Sequence, residues 1–327
     1  MKKLGIIGTM VWDRIFARDG RTEPFEEWGG ITYALAAADA ARPAGWQILP
    51  IVKVGADLRE KALQFLQTLE GADIETGVRI VDAPNNRVEL RYKDAVRRCE
   101  RLTGGVPRWT WPELEPIVAH ADALYINFIS GFEMDLETAT RLRLGYHGPM
   151  YADLHSLFLG VDPTGMRVPR PLEHWRDWLR CFDVVQVNED ELNALSSAWG
   201  DPWLFAADIV GDGPKLLLVT LGERGAAYVC APNFDPDPTT WRPRGIVVPS
   251  LAPVAGTVSR RIAPTGGPRV GDPTGCGDVW GATCFSRLLA GDDLDTAIQT
   301  ANDAAARNVS YRGATGLNRY LRGKLGT

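Results

Sequence analysis

Residues 270–281, with the sequence VGDPTGCGDVWG, have the types and spacing that could do chemistry. A glycine-rich turn precedes a run of small and apolar residues, 282–289, which predicts a helix. The glycines then lie at the helix N-terminus, where backbone N–H groups lack partners and the helix dipole is positive. Such a place binds phosphate or a developing anion. Asp278 falls in the first turn, so we expect its carboxylate to face the same pocket.

Taken alone, this segment could be a turn and a capped helix with no chemistry. The string DPTGCGD at residues 272–278 nevertheless resembles the C-terminal motif of the ribokinase or PfkB-type carbohydrate kinases, usually DTxGAGD. Pro273 and Cys276 stand where this motif usually has threonine and alanine, and the two aspartates and two glycines match. Other short motifs follow the order of that family over residues 5–316: GG at 29–30 before an alanine-rich stretch, GAD at 55–57, VNEDEL at 187–192, VTLGERGA at 219–226 and GA at 313–314. Each alone predicts only a turn, but their order supports the resemblance over nearly the whole chain.

The resemblance implies a phosphotransferase that uses ATP and Mg²⁺ and moves the γ-phosphate to a hydroxyl of a sugar. Asp278 is then the general base that takes the hydroxyl proton. The backbone N–H groups of Gly275, Cys276, Gly277 and Asp278 form an anion hole for the transferring phosphoryl group. The same fold and chemistry also allow a nucleoside kinase, and a sensor that binds a sugar or nucleotide without catalysis is a further alternative.

The resemblance also assigns the cofactor side. Asn188 and Glu191 are expected to organise Mg²⁺, which prefers oxygen ligands and keeps several waters. A helix cap by Asn188 is the structural alternative, and both roles are compatible. The nucleotide is expected to contact four further residues: Thr220, Gly222, Gly225 and Asn302. Asp272 and Thr274 resemble the loop that binds a monovalent cation such as K⁺ in the family.

On the substrate side, Asp13 matches an aspartate that holds substrate hydroxyls, and Gly29 and Gly30 match the pair that lines the sugar. Tyr33 stands near a place where the family often has asparagine. Its ring could stack on a base or a sugar face, or it could be a core residue. Asp153 and His155 are two residues apart, and we expect a turn there rather than a metal site.

Short apolar runs alternate with helical stretches, which predicts a parallel sheet with helices on both faces. The predicted strands cover residues 4–8, 48–52, 123–128, 149–153, 183–187 and 215–220. The fold class is therefore α/β, a ribokinase-like three-layer sandwich, with residues 1–327 forming one domain. Apolar and polar residues alternate near 78–105, which predicts half-exposed antiparallel strands. These, with residues 10–28, are expected to form a small β lid inserted in the domain.

Composition excludes some classes of function. Hydrophobic residues make up 45% of the chain and charged residues 24%, as in ordinary soluble proteins. The net charge of −5 and the lack of a basic run argue against a nucleic-acid partner. No stretch has the roughly 20 apolar residues of a membrane span. The five cysteines form no Cys-x-x-Cys pair, which predicts free thiols and a cytoplasmic location.

The resemblance further implies a homodimer through the lid. An oxidoreductase is disfavoured because GIIG at 5–8 lacks the full dinucleotide fingerprint.

Overall fold

The computed structural model describes residues 1–16, 24–92, 98–241, 256–267 and 269–324. Its strands, in chain order, are β1 Lys2–Ile7, β2 Met10–Phe16, β3 Phe25–Gly30, β4 Trp46–Gly55, β5 Val78–Val81, β6 Arg87–Tyr92, β7 Arg98–Thr103, β8 Ala123–Asn127, β9 Met150–Asp153, β10 Leu159–Val161, β11 Arg167–Pro169, β12 Val184–Asn188, β13 Leu216–Thr220, β14 Ala226–Cys230 and β15 Val258–Ile262. Its α-helices are α1 Ile31–Ala41, α2 Arg59–Gln67, α3 Ile74–Gly77, α4 Trp111–Val118, α5 Leu136–Gly145, α6 Trp175–Arg180, α7 Glu189–Leu195, α8 Pro202–Ile209, α9 Cys276–Leu289, α10 Leu294–Asn308 and α11 Leu317–Leu321.

A central sheet of nine strands organises the molecule, in the order β15-β14-β13-β12-β9-β8-β1-β4-β5. In this spatial order, every neighbouring pair of strands from β13 to β5 is parallel. β14 and β15 add an antiparallel edge beside β13. All six predicted strands are confirmed. They are apolar on both faces because helices cover the sheet on each side, as parallel sheets require.

Alternate side chains along each strand enter two separate cores. Ile6 and Leu216 pack on one face with α1, α2, α9, α10 and α11, while Ile7 and Leu217 pack on the other with α4 to α8. The three-layer α/β architecture predicted from the sequence is therefore confirmed. Within the described ranges no helix is both long enough and apolar enough to cross a lipid bilayer.

A second sheet has the strand order β3-β2-β6-β7. Its inner face buries Val11, Asp13 and Ile15, and its outer face is more exposed, which explains the alternating pattern in the sequence. Two details differ from the prediction. The β2–β6 pair is parallel, and Val78–Val81 joins the edge of the central sheet beside β4. Residues 17–23 and 93–97 of the expected lid lie outside the described residues.

Candidate active site

The N-terminus of α9 forms one wall of a cleft of about 350 Å³. Gly275 is the N-cap residue, and its φ of 76° lies in the left-handed region that favours glycine. A Cβ at Gly275 would lie 2.5 Å from Tyr33 Cδ1, so the Tyr33 ring packs directly on this turn. The first-turn N–H groups of a helix have no acceptor within the helix. The turn, which lines the cleft, therefore has N–H groups that a ligand could bind.

One predicted donor of the anion hole is already used. The Cys276 N–H donates to Pro273 O at 3.1 Å, so it is not free to bind a phosphoryl oxygen in this conformation. The prediction for Cys276 is corrected to this extent. Burial raises the pKa of the Cys276 thiol to about 11, so the side chain is a neutral thiol near neutral pH. Gly275, Gly277 and Asp278 also line the cleft.

The carboxylate of Asp278 is held from the central sheet. Asn127, fully buried at the end of β8, donates from Nδ2 to Asp278 Oδ1 at 2.8 Å. The carboxamide is thereby turned toward Asp278, and Asn127 Oδ1 has no partner among the described residues. This contact fixes the direction of Asp278 from a rigid strand.

Gln186 ties β12 to the first turn of α9. Its Nε2 donates to Asp153 Oδ2 at 2.9 Å and to Gly277 O at 3.2 Å, while its Oε1 accepts from the Tyr151 hydroxyl at 2.7 Å. The amide group of Gln186 is therefore fully oriented by the protein. It links the glycine turn to a buried carboxylate on the neighbouring strand.

Two titratable groups, Asp153 and His155, line the cleft beside Glu191. Burial raises the pKa of Asp153 to about 8, and the charges of Glu191 and Asp278 act in the same direction. His155 Nδ1 lies 2.9 Å from Glu191 Oε1. Loss of hydration opposes protonation of His155, but the contact with Glu191 and the nearby carboxylates outweigh it and raise its pKa to about 9. The His155 side chain is still 46% exposed, because it faces the open cleft. Residues 153–155 thus do more than form the predicted turn.

Asn188 and Glu191 are joined as a capping box at the start of α7. Asn188 Oδ1 accepts from Glu191 N at 2.9 Å, and Asn188 N donates to Glu191 Oε2 at 2.8 Å. Both residues line the cleft. Because these oxygens already have protein partners, the pair fits a hydrated Mg²⁺ held through water better than a directly bound ion. In the part of the chain that the structure describes, no three His, Cys, Asp or Glu side chains are arranged to hold a metal.

The residues predicted to contact the nucleotide are divided by the structure. Thr220 and Gly222 line the cleft, and Gly222 has a φ of 58°. Gly225, at a φ of 87°, closes the turn below them by accepting from the Leu221 N–H at 2.8 Å. Asn302 does not line the cleft. Its side chain is buried, with Oδ1 accepting from Trp280 Nε1 at 2.8 Å and Nδ2 donating to Ile262 O at 3.1 Å, so its polar atoms serve packing of α10.

The inner face of the second sheet forms the opposite wall. Asp13 and Gly30 line the cleft, and a Cβ at Gly29 would overlap the Asp13 carboxyl group, so this glycine gives the carboxylate its space. Tyr33 is 4% exposed, and burial together with the nearby Asp13 carboxylate raises its pKa well above the usual value. The Tyr33 ring is thus both a core residue and part of the cleft.

Next to the glycine turn, Asp272 holds its own loop. Asp272 Oδ1 accepts from Thr274 N at 2.9 Å and from Thr274 Oγ1 at 2.6 Å. This is a closed turn around one carboxylate oxygen. The loop is adjacent to the cleft, which Thr274 lines.

Sequence reasoning missed several residues of the cleft. Gln186 lines the cleft and Asn127 holds Asp278 behind it; each is a polar residue in a buried strand made mostly of apolar residues, which is a signal that could have found them. Glu100 and Arg167 also line the cleft. They are far apart in sequence, and no local pattern marks them.

Three comparisons with known proteins address the family. The sequence profile of the pfkB family carbohydrate kinases matches residues 34–319, so the chain belongs to this family. A search of curated proteins finds no match. The fold is also that of solved structures with low sequence identity.

A ribokinase from Arabidopsis thaliana, complexed with ribose and ATP, has a TM-score of 0.69 at 18% identity and covers 100% of both chains. A protein from E. coli assigned as a ribokinase II, in complex with ATP and Mg²⁺, has a TM-score of 0.71 at 17% identity, and the match covers 99% of each chain. A nucleoside kinase from Burkholderia thailandensis, in complex with inosine, has a TM-score of 0.67 at 17% identity, covering 97% of this chain and 93% of its own. These likenesses establish a ribokinase-like fold.

Proposed function

We propose that the protein transfers the γ-phosphoryl group of ATP to a hydroxyl of a sugar moiety, with Asp278 as general base. The observation that carries this proposal is the geometry at α9: Asp278 sits in the first turn, beside a glycine turn that presents backbone donors to a cleft. The sugar belongs either to a free sugar or to a nucleoside. The family and the ATP complexes of the neighbours support ATP as donor.

In the proposed reaction, Asp13 orients the acceptor hydroxyls from the second sheet. Asp278, held by Asn127, accepts the proton of the attacking hydroxyl as the new oxygen–phosphorus bond forms and the bond to the β-phosphate oxygen breaks. The amides of Gly275, Gly277 and Asp278 stabilise charge on the phosphoryl oxygens, the largest contribution expected in this chemistry.

Asn188 and Glu191 would hold Mg²⁺ through water, and the ion would supply neutralisation of phosphate charge. Thr220 and Gly222 would contact the nucleotide through a hydroxyl and the backbone, a role supported by their place in the lining of the cleft. A monovalent cation at the Asp272–Thr274 turn is part of the proposal, tested by comparing turnover in K⁺ and in a non-metal buffer cation.

The second sheet is proposed as a lid on a single domain of residues 1–327. Its inner face lines the cleft, so closure over the acceptor would exclude water and limit wasteful hydrolysis of ATP. A homodimer through this sheet is proposed from the family, and sedimentation of the full chain would test it. The cytoplasmic location remains a prediction from the cysteine pattern.

The test is ADP release with Mg-ATP across sugars, sugar phosphates and nucleosides, with wild type and Asp278→Asn side by side. We expect the substitution to lower kcat by about 10²- to 10⁴-fold, the usual contribution of a general base, while ATP affinity stays close to wild type. Asp208→Asn, an exposed carboxylate on α8, is the matched control and should not change kcat. Full turnover by Asp278→Asn would remove Asp278 from the mechanism. ATP binding without turnover on any acceptor would favour the sensor.

A further inference from the structure

Two opposite charges, Glu100 and Arg167, lie side by side on the wall of the cleft that the second sheet forms. This wall, where the acceptor is proposed to bind, is called the acceptor wall. Arg101 and Met166 form an antiparallel bridge, and the Leu102 N–H donates to Gly165 O at 2.8 Å. In such a pair the residues on either side of the bridge are opposed, so Glu100 lies opposite Arg167 and both point to the same face. Both line the cleft. The strand β11 thus extends the inner face of the second sheet.

The two charges do not form an ion pair with each other. Opposite charges at directly opposed positions usually attract and stabilise a sheet. In the described ranges, however, the Arg167 side chain makes one hydrogen bond, from Nη1 to Ser130 O at 2.7 Å, and no salt bridge. A guanidinium has five donors and stays charged, even though burial lowers the pKa of Arg167. Arg167 therefore has donors to offer a ligand in the cleft.

Glu100 offers the complementary function. It has other contacts, but a carboxylate provides about four acceptor sites, so it can accept from a ligand as well. A ligand that meets both side chains must present acceptors to Arg167 and a donor to Glu100, at neighbouring atoms.

The charged pair lies well away from Asp13. Asp13 is in register with Val88, and Val88 with Leu102, whereas Glu100 belongs to the next inward-facing row, opposite Leu90. From β2 to β11 there are three strand spacings, or about 14 Å. A single sugar ring held at Asp13 does not bridge this distance, whereas a second ring attached to the sugar extends toward it.

The wall between the two ends is apolar. Val88, Leu90 and Leu102 line it from the second sheet, with Ile129 from the loop after β8. Apolar side chains suit the flat faces of a heteroaromatic base and offer little to the hydroxyls of a second sugar. The acceptor end of the cleft therefore matches a sugar joined to a base whose polar atoms lie at its far edge.

We propose that the acceptor substrate is a nucleoside with a 6-oxopurine base, whose edge is read by Arg167 and Glu100. This rests on the proposed kinase function, with the phosphoryl group transferred to a ribose hydroxyl and its proton to Asp278. O6 and N7 of such a base are adjacent acceptors that suit a bidentate arginine, and the neighbouring N1–H suits a carboxylate acceptor. Adenine reverses this polarity, because it places an amino group before Arg167 and a lone pair before Glu100.

The experiment measures ADP release with Mg-ATP for inosine, 1-methylinosine, adenosine and ribose. Inosine is expected to give the highest kcat/KM. Arg167→Met should lower kcat/KM for inosine by about 10- to 100-fold, mainly through KM, and leave adenosine nearly unchanged. Glu100→Gln should reduce the preference for inosine over 1-methylinosine, which lacks the N1–H. Arg101→Met is the matched control. Its side chain lies on the outer face of β7, and it should keep the wild-type preference.

The outcomes separate this inference from the proposed function. ADP release that persists in Asp278→Asn would overturn the proposed mechanism for every acceptor. Asp278-dependent turnover that favours ribose or adenosine over inosine would overturn the 6-oxopurine assignment and leave the kinase standing. Calorimetry with inosine and Asp278→Asn gives a readout without turnover. We expect inosine to bind Asp278→Asn. In the double variant with Arg167→Met this binding should be lost, while the melting temperature of the protein stays the same. Equal inosine affinity with and without Arg167 would refute the inference.

Discussion

Replacing Gly275 with alanine tests whether the turn before α9 is the anion hole. The φ of 76° places an alanine in the left-handed region, which costs about 1–2 kcal/mol. The new Cβ would lie 2.5 Å from Tyr33 Cδ1 and closer still to Tyr33 Cγ, whereas ordinary contacts begin at 3.4 Å, so the ring or the turn must move by about 1 Å. Such overpacking adds about 1–3 kcal/mol of destabilisation. A displacement near 1 Å at a catalytic group can cost about 10²-fold in rate.

Gly291 offers the matched control because it follows the other end of α9, has a φ of 92°, and has nothing within 4 Å of an added Cβ. Urea unfolding and kcat for an accepted substrate would be measured for Gly275→Ala and Gly291→Ala. We expect both variants to lose stability, Gly275→Ala more, and only Gly275→Ala to lose about 10²-fold or more in kcat. A folded Gly275→Ala with wild-type kcat would refute the placement of the anion hole.

Two further predictions concern Asn127 and Asp153, two buried residues at the ends of neighbouring strands of the central sheet. Asn127→Leu removes the donor to Asp278, so kcat should fall by about 10-fold or more with little change in KM for ATP, and an unchanged kcat would show that Asn127 does not position the base. For Asp153, the folded protein keeps the carboxyl protonated up to a pH of about 8, while the unfolded chain ionises it near its usual 3.8. Wild type should therefore lose stability as pH rises through this window, by at most about 1.4 kcal/mol per pH unit. In Mg²⁺-free buffer, Asp153→Asn should flatten this dependence, and identical slopes would contradict burial of a neutral carboxyl.

The central sheet could be predicted from the sequence because strands buried on both faces are short, apolar and bounded by turns. Residues 48–52 and 216–220 are examples. The glycine turn and Asp278 were found because the whole motif is local. The edge strand Val78–Val81 was assigned to the lid because an edge strand and a half-exposed lid strand show the same alternation. Periodicity gives the exposure of a strand and does not give its partner.

The rest of the site depends on pairings between distant segments. Asn302 was assigned to the nucleotide from its position on the last long helix, yet Trp280 and Ile262 O engage its amide in the core. Glu100 and Arg167 meet only because β11 pairs with β7. Asn127 reaches Asp278 only because β8 lies beneath the first turn of α9. Contacts of this kind are set by tertiary packing and leave no spacing in the sequence.

The direct connection between the second sheet and α1 has a consequence for how binding of the two substrates is coupled. Gly30 ends β3 and also caps α1, and Tyr33, in the first turn of α1, packs on Gly275. Movement of the second sheet would therefore be transmitted through Tyr33 to the turn that we propose binds the phosphates. An acceptor that stabilises one position of the wall would change the free energy of nucleotide binding, and the nucleotide would change acceptor affinity by the same factor. The two substrates would then bind cooperatively, so that ATP is held most tightly when there is a hydroxyl to receive its phosphate.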